Sequence, residues 1–171
     1  MCPAGWIPFG DDCYQFNTAV SQRNTWAAAK RACESIGDFS SLAIIKTKAQ
    51  QDFIEQTLSI RTDVWIGLSD NEKEHVFKWT DKTYLRDSNF ANWVNESRQG
   101  GNAPRKDCVF LRGQSNYAWT VGYCGLRYGR YICQRKRGKC SYASIVTPAG
   151  GKTAKCSPLS TIDVRGHTFT L

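Results

Sequence analysis

The chain has 171 residues, 41% of them hydrophobic, and a formal net charge of +8, enough for one well-cored domain with an appendage but not for two full domains. No apolar run approaches the roughly 20 residues that span a bilayer, and residues 1–15 lack the charged start and apolar stretch of a signal peptide, so a secreted chain would begin here at its mature end or as a fragment. The charge is uneven: residues 1–87 hold 10 Lys/Arg against 12 Asp/Glu (net −2), residues 88–134 hold 6 against 2 (net +4), and residues 135–171 hold 7 against 1 (net +6).

Residues 2–16 alternate apolar and polar positions around Gly10-Asp11-Asp12, which reads as a turn between two short extended pieces. Cys2 and Cys13 flank that turn and are placed to close the hairpin. A helix is expected next, with Asn24 as its N-cap. Trp26, Ala29, Cys33 and Ile36 recur at helical spacing and Gly37 is a natural stop. A second helix is expected to open on the capping box Thr47-Lys48-Ala49-Gln50, with Ala49, Phe53, Ile54 and Leu58 as its apolar stripe. The period then changes. Val64-Trp65-Ile66-Gly67-Leu68 is a buried-strand run, and Phe77-Lys78-Trp79-Thr80 alternates. From Ser88 to Asp107 the chain is polar and without period, too long for an ordinary connection. Strand-like pieces resume at Val109-Phe110-Leu111, Tyr117-Ala118-Trp119 and Tyr131-Ile132-Cys133. Arg135-Lys136-Arg137-Gly138-Lys139 marks a boundary, giving a domain over 2–134 and a basic extension over 135–171. Within that extension the segment Asp163–Leu171 is either an added strand or loose.

The eight cysteines, Cys2, Cys13, Cys33, Cys108, Cys124, Cys133, Cys140 and Cys156, include no C-x-x-C pair. That argues against a zinc ribbon or a thioredoxin-like redox site. An even, widely spaced set implies structural disulfides made in an oxidising compartment. Asn95-Glu96-Ser97 fits the N-glycosylation pattern, with Asn95 as acceptor, and agrees with secretion.

Cys13-Tyr14, Trp26 with Ala29 and Cys33, Trp65-Ile66-Gly67-Leu68, Lys78-Trp79-Thr80-Asp81, Asn92-Trp93, Asp107-Cys108-Val109, Cys124 and Tyr131-Ile132-Cys133 follow one another in this order. In order and spacing, residues 2–134 resemble the C-type lectin-like domain family in its long form. The resemblance implies an α+β, disulfide-stapled fold, with two helices packed on antiparallel sheets and a long irregular loop. It also implies pairings that counting cannot choose among about 105 alternatives: Cys33 with Cys133, Cys108 with Cys124, and Cys2 with Cys13. Cys140 and Cys156 remain as a pair outside the family pattern. Trp65, Gly67, Leu68 and Trp79 are read as core residues that identify the fold and not the ligand.

In sugar-binding members of that family the long loop supplies Glu-Pro-Asn or Gln-Pro-Asp, a Glu two residues before the cysteine at position 108 here, and Trp-Asn-Asp. These oxygens hold calcium, a hard cation. This sequence has neither tripeptide. Lys106 stands in the Glu position, and Trp119-Thr120-Val121 replaces Trp-Asn-Asp. Valine cannot ligate calcium and an ammonium repels it, so no cofactor is expected at this loop. Arg98, Asn102, Arg105, Lys106, Asp107 and Trp119 are the candidate ligand contacts, beside Tyr117. Arginine makes bidentate contacts to sulfate or carboxylate, so the expected partner is an anionic glycan, an acidic protein face or a mineral-associated polymer. A merely solvated polar loop is the alternative. The leading expectation is a secreted recognition protein binding a glycan or extracellular protein without calcium at the loop. The second is a structural, assembly-forming protein that oligomerises through the extension. Catalysis is not expected, because His75 and His167 sit in no nucleophile motif and no carboxylate pair or metal triad is apparent. Nucleic-acid binding and membrane insertion are not expected either.

Overall fold

The computed structural model describes residues 1–37, 39–59, 61–94, 105–126, 129–138, 141–146 and 152–157. The expected N-terminal hairpin forms from β1 (Ile7–Phe9) and β2 (Asp12–Asn17), with Phe9 opposite Asp12. Helix α1 (Trp26–Glu34) is capped by Thr25, whose hydroxyl accepts from the Ala28 amide at 3.2 Å, and not by Asn24. Asn24 is taken instead by a bridge to Gly129, and its carbonyl accepts the Trp65 indole N–H at 2.9 Å. The helix ends at Glu34, so Ile36 lies beyond it and is 41% exposed, while Trp26, Ala29 and Cys33 are buried as expected.

After β3 (Ser40–Leu42), helix α2 (Lys48–Thr57) opens on the expected capping box. The Gln50 amide donates to the Thr47 hydroxyl at 3.2 Å, and the Gln50 side chain accepts from the Thr47 amide at 3.1 Å. The inward stripe differs from expectation. Ala49 is exposed, and Gln51 joins Ile54 and Leu58 inside. The spacing 51, 54, 58 is one helical face, and a glutamine fits on it because it has partners there.

The remaining strands are β4 (Val64–Ser69), β5 (Lys78–Trp79), β6 (Cys108–Arg112), β7 (Ala118–Gly122) and β8 (Arg130–Lys136). They join β1 and β2 in the order β1-β2-β8-β4-β6-β7, with β3 on β8 and β5 on β4. Pairing is antiparallel except between β4 and β8, which run parallel. Every residue of β4 is buried, as a central strand covered on both faces requires. Gly67 shows why its motif needs glycine: a Cβ there would lie 2.9 Å from the Leu42 carbonyl oxygen.

Three disulfides match the implied pairings: Cys2–Cys13, Cys33–Cys133 and Cys108–Cys124. Cys13, Cys33, Cys108 and Cys133 lie in one buried cluster with Trp6, Trp26 and Trp65, so the bridges are part of the core. The second cluster, around Ile54, Ile66, Trp79 and Trp119, fills the space between α2 and the sheet. Strand β8 runs through Lys136, so Arg135 and Lys136 belong to the domain's last strand and not to a linker. Beyond it, β9 (Ser141–Val146) and β10 (Lys152–Ser157) form an antiparallel hairpin of their own. Cys140 and the segment 163–171 lie outside the described residues, and with Cys140 the expected Cys140–Cys156 bridge.

Candidate functional site

The long loop is anchored at both ends on β7 and β4. Trp93 bridges Trp119; the Trp119 amide donates to the Asn92 carbonyl at 2.6 Å and the Val94 amide to the Trp119 carbonyl at 3.0 Å. On the return side the Asp70 amide donates to the Asp107 carbonyl at 3.0 Å, and the Cys108–Cys124 bridge lies directly beneath.

Trp119 is not a ligand contact. It is 1% exposed, its indole N–H donates to Gln51 Oε1 at 2.8 Å, and its ring meets Trp79, Phe90 and Trp93 edge-on. Gln51 also donates to the Tyr117 carbonyl at 3.0 Å. The pair thus ties α2 to the base of the loop. Periodicity carries no signal for Gln51, since a polar residue on an amphipathic helix reads as solvent-facing.

The exposed aromatic at the site is Tyr123, which is not among the residues expected from sequence. It is 41% exposed and the Lys106 ammonium lies 5.3 Å from its ring centroid, within cation–π range. Arg105, exposed and at a positive φ of 84°, precedes Lys106 in the chain. Among the described residues no carboxylate lies within ion-pair distance of Arg105 or Lys106. The structure therefore brings Lys106 and Tyr123 together, with the exposed Arg105 adjacent in the chain. Arg98, Asn102 and the acceptor Asn95 lie outside the described residues.

Asp107 faces the other way. Among the described residues its buried Oδ1 has no hydrogen-bond partner, and neither has Oδ1 of Asp70, a residue only 2% exposed. Asp70 Oδ2 accepts from the His75 amide at 2.9 Å, and donor atoms of Asp70, Glu74 and His75 lie within 4.8 Å of one another. Burial first, then the charges of Glu74 and Asp107, push the Asp70 carboxyl above its ordinary value. Two of these three groups are carboxylates, the oxygen donors that calcium takes, and the third is an imidazole. Lys106, Thr120 and Val121 stand at the positions where the sequence resemblance expects calcium ligands of the loop. The signal for this cluster was Asp70 and Glu74 directly after the Trp-Ile-Gly-Leu strand.

The fold and loop together define a disulfide-stapled α+β recognition domain. The Lectin C-type domain model matches residues 22–135, and the chain belongs to that family. It is 33% identical over 142 residues to one of the salmorin snaclec chains of Gloydius brevicauda, covering 78% of this chain and 83% of that one. It is 32% identical over 170 residues to the human low affinity immunoglobulin epsilon Fc receptor, covering 99% of this chain but only 47% of the receptor. Among solved structures, the cow CD23 carbohydrate-recognition domain, determined in the presence of a GlcNAc2Man3 oligosaccharide, superposes with a TM-score of 0.68 at 28% identity, over 80% of this chain and 97% of that one. No helix among the described residues is long and apolar enough to cross a membrane.

Proposed function

We propose that the chain is a secreted recognition domain that binds an anionic glycan, or an acidic protein face, through Arg105, Lys106 and Tyr123, without calcium at the usual loop position. The observation that carries this reading is the Lys106 ammonium over the exposed Tyr123 ring, with the exposed Arg105 next to Lys106 in the chain. A cation and an aromatic face on one rigid base hold a sulfated or sialylated sugar by charge and by stacking. Rigidity comes from the Cys108–Cys124 bridge, which spans the two sides of this surface. Secretion is supported by three disulfides, which persist in oxidising compartments. Changing Arg98, Arg105 and Lys106 together to Ala is the test: elution from heparin should move to clearly lower salt. Elution at an unchanged salt concentration would sink this reading.

The assembly alternative is favoured by one observation. The β9–β10 hairpin pairs only with itself among the described residues, leaving strand edges that another chain can extend. Sedimentation of the full chain decides. A monomer that still binds anionic glycans ends this alternative, and a large oligomer that binds none ends the first reading.

A further inference from the structure

A second basic feature lies in a half of the chain whose net charge is −2, where composition offers no reason to expect one. A cleft of about 400 Å³ opens between α1 and the β4–β5 ribbon, within the range of pockets that take small ligands. Lys30 and Arg31 of α1 form one wall, and Lys78 with Lys82 the other. Glu72 is the one carboxylate in that lining, so the walls carry an excess of three positive charges. Glu72 is occupied by Lys78 at 2.6 Å, with Lys82 at 3.9 Å, and Lys30 turns to Glu34 at 2.6 Å. Arg31 has no carboxylate partner among the described residues. These surface pairs are individually weak, and an ester oxyanion in the cleft competes with them for the same ammonium groups.

The cleft carries its own reporter. Trp79 lines it and is 1% exposed, and among the described residues its indole N–H has no hydrogen-bond partner. Trp26, also in the wall, has its own N–H satisfied by the Ile66 carbonyl at 2.8 Å. At the cleft floor the Ser69 hydroxyl donates to Asn71 Oδ1 at 3.1 Å.

We propose that the cleft between α1 and β5 is a second, separate anion site, taking a sulfate or phosphate ester carried on a body of monosaccharide size, with the oxyanion between Arg31 and Lys82. None of its residues belongs to the Arg105–Lys106–Tyr123 surface, so the two sites fail independently.

The probes are a monosaccharide sulfate, the matching phosphate and the neutral parent sugar, each titrated into ¹⁵N-labelled full-length chain. The Trp79 indole resonance, assigned by loss in Trp79→Phe, should shift with the charged sugars and not with the neutral one; the stronger of the two names the ester. The double variant Arg31→Glu, Lys82→Glu changes two exposed positions, with circular dichroism confirming that it folds. It should weaken binding by about tenfold or more, as expected for losing charged hydrogen-bond donors. Arg105→Glu with Lys106→Glu should leave this titration unchanged. The proposal is overturned if the neutral sugar shifts Trp79 equally, if the α1–β5 variant binds as tightly as the parent, or if the loop variant alone abolishes the shift.

Discussion

Gln51 is the residue whose replacement tests the placement of Trp119 most sharply. Its side chain is 2% exposed, accepts from the Trp119 indole at 2.8 Å, and donates to the Tyr117 carbonyl at 3.0 Å and to Glu55 at 2.7 Å. Gln51→Met keeps the volume and removes every polar contact. It strands the buried Trp119 N–H, at about 1–3 kcal/mol, and removes a second buried hydrogen bond at about 1 kcal/mol. We expect a total loss of about 2–4 kcal/mol in urea unfolding with an unchanged m-value, a large share of a typical domain's 5–15 kcal/mol. Adding Trp119→Phe removes the stranded donor, so the double variant should cost clearly less than the two single losses combined. A Gln51→Met loss below about 1 kcal/mol, or strict additivity with Trp119→Phe, would refute the view that Trp119 is held inside by α2.

Other outcomes follow from the same structure. Gly67→Ala forces a Cβ to 2.7 Å from the Thr80 hydroxyl and 2.9 Å from a backbone oxygen, and should cost about 1–3 kcal/mol by thermal or urea unfolding. Cys108→Ser with Cys124→Ser opens a bridge of sequence separation 16 and should cost about 3 kcal/mol on the chain-entropy account, with heparin affinity falling as well. Calcium should raise Tm in the parent chain and not in Asp70→Asn, since Asp70 carries a buried carboxylate oxygen with no hydrogen-bond partner. The sign with pH follows from its raised carboxyl. The folded state binds this proton more tightly than the unfolded one, so without calcium the Asp70 contribution falls as pH rises from the ordinary carboxylate value through the raised one. Asp70→Asn should flatten that slope; an unchanged slope in differential scanning calorimetry contradicts the assignment.

The motifs that identify the fold were legible because each has a local cause. Trp65-Ile66-Gly67-Leu68 is apolar on both faces because β4 is central, and the Thr47 capping box closes on itself within four residues. Expectation and structure part where long-range partners override local pattern. Asn24 is a good N-cap by type, but the chain from Gly129 occupies its backbone and Thr25 caps in its place. Gln51 reads as a surface residue until Trp119 and Tyr117, more than 60 positions away, supply its hydrogen bonds. At the site, Lys106, Thr120 and Val121 were legible in the sequence as departures from the family's loop pattern. The exposed aromatic was not, because Tyr123 meets Lys106 only once the Cys108–Cys124 bridge folds the two segments together. The basic cleft was equally hidden, since its cations come from an acidic half of the chain and converge only across α1 and β5.

Whether this lectin-family domain meets an anion through Arg105, Lys106 and Tyr123, without calcium at the loop, is measured most directly on a glycan array. The array carries sulfated, sialylated and neutral glycans and is probed in EDTA and again in calcium. Binding to the acidic glycans is expected in both buffers and weakened by salt; in Arg105→Glu with Lys106→Glu the sialylated glycans should be lost and the sulfated ones reduced to what the α1–β5 cleft retains. Binding confined to neutral sugars and abolished by EDTA would contradict it.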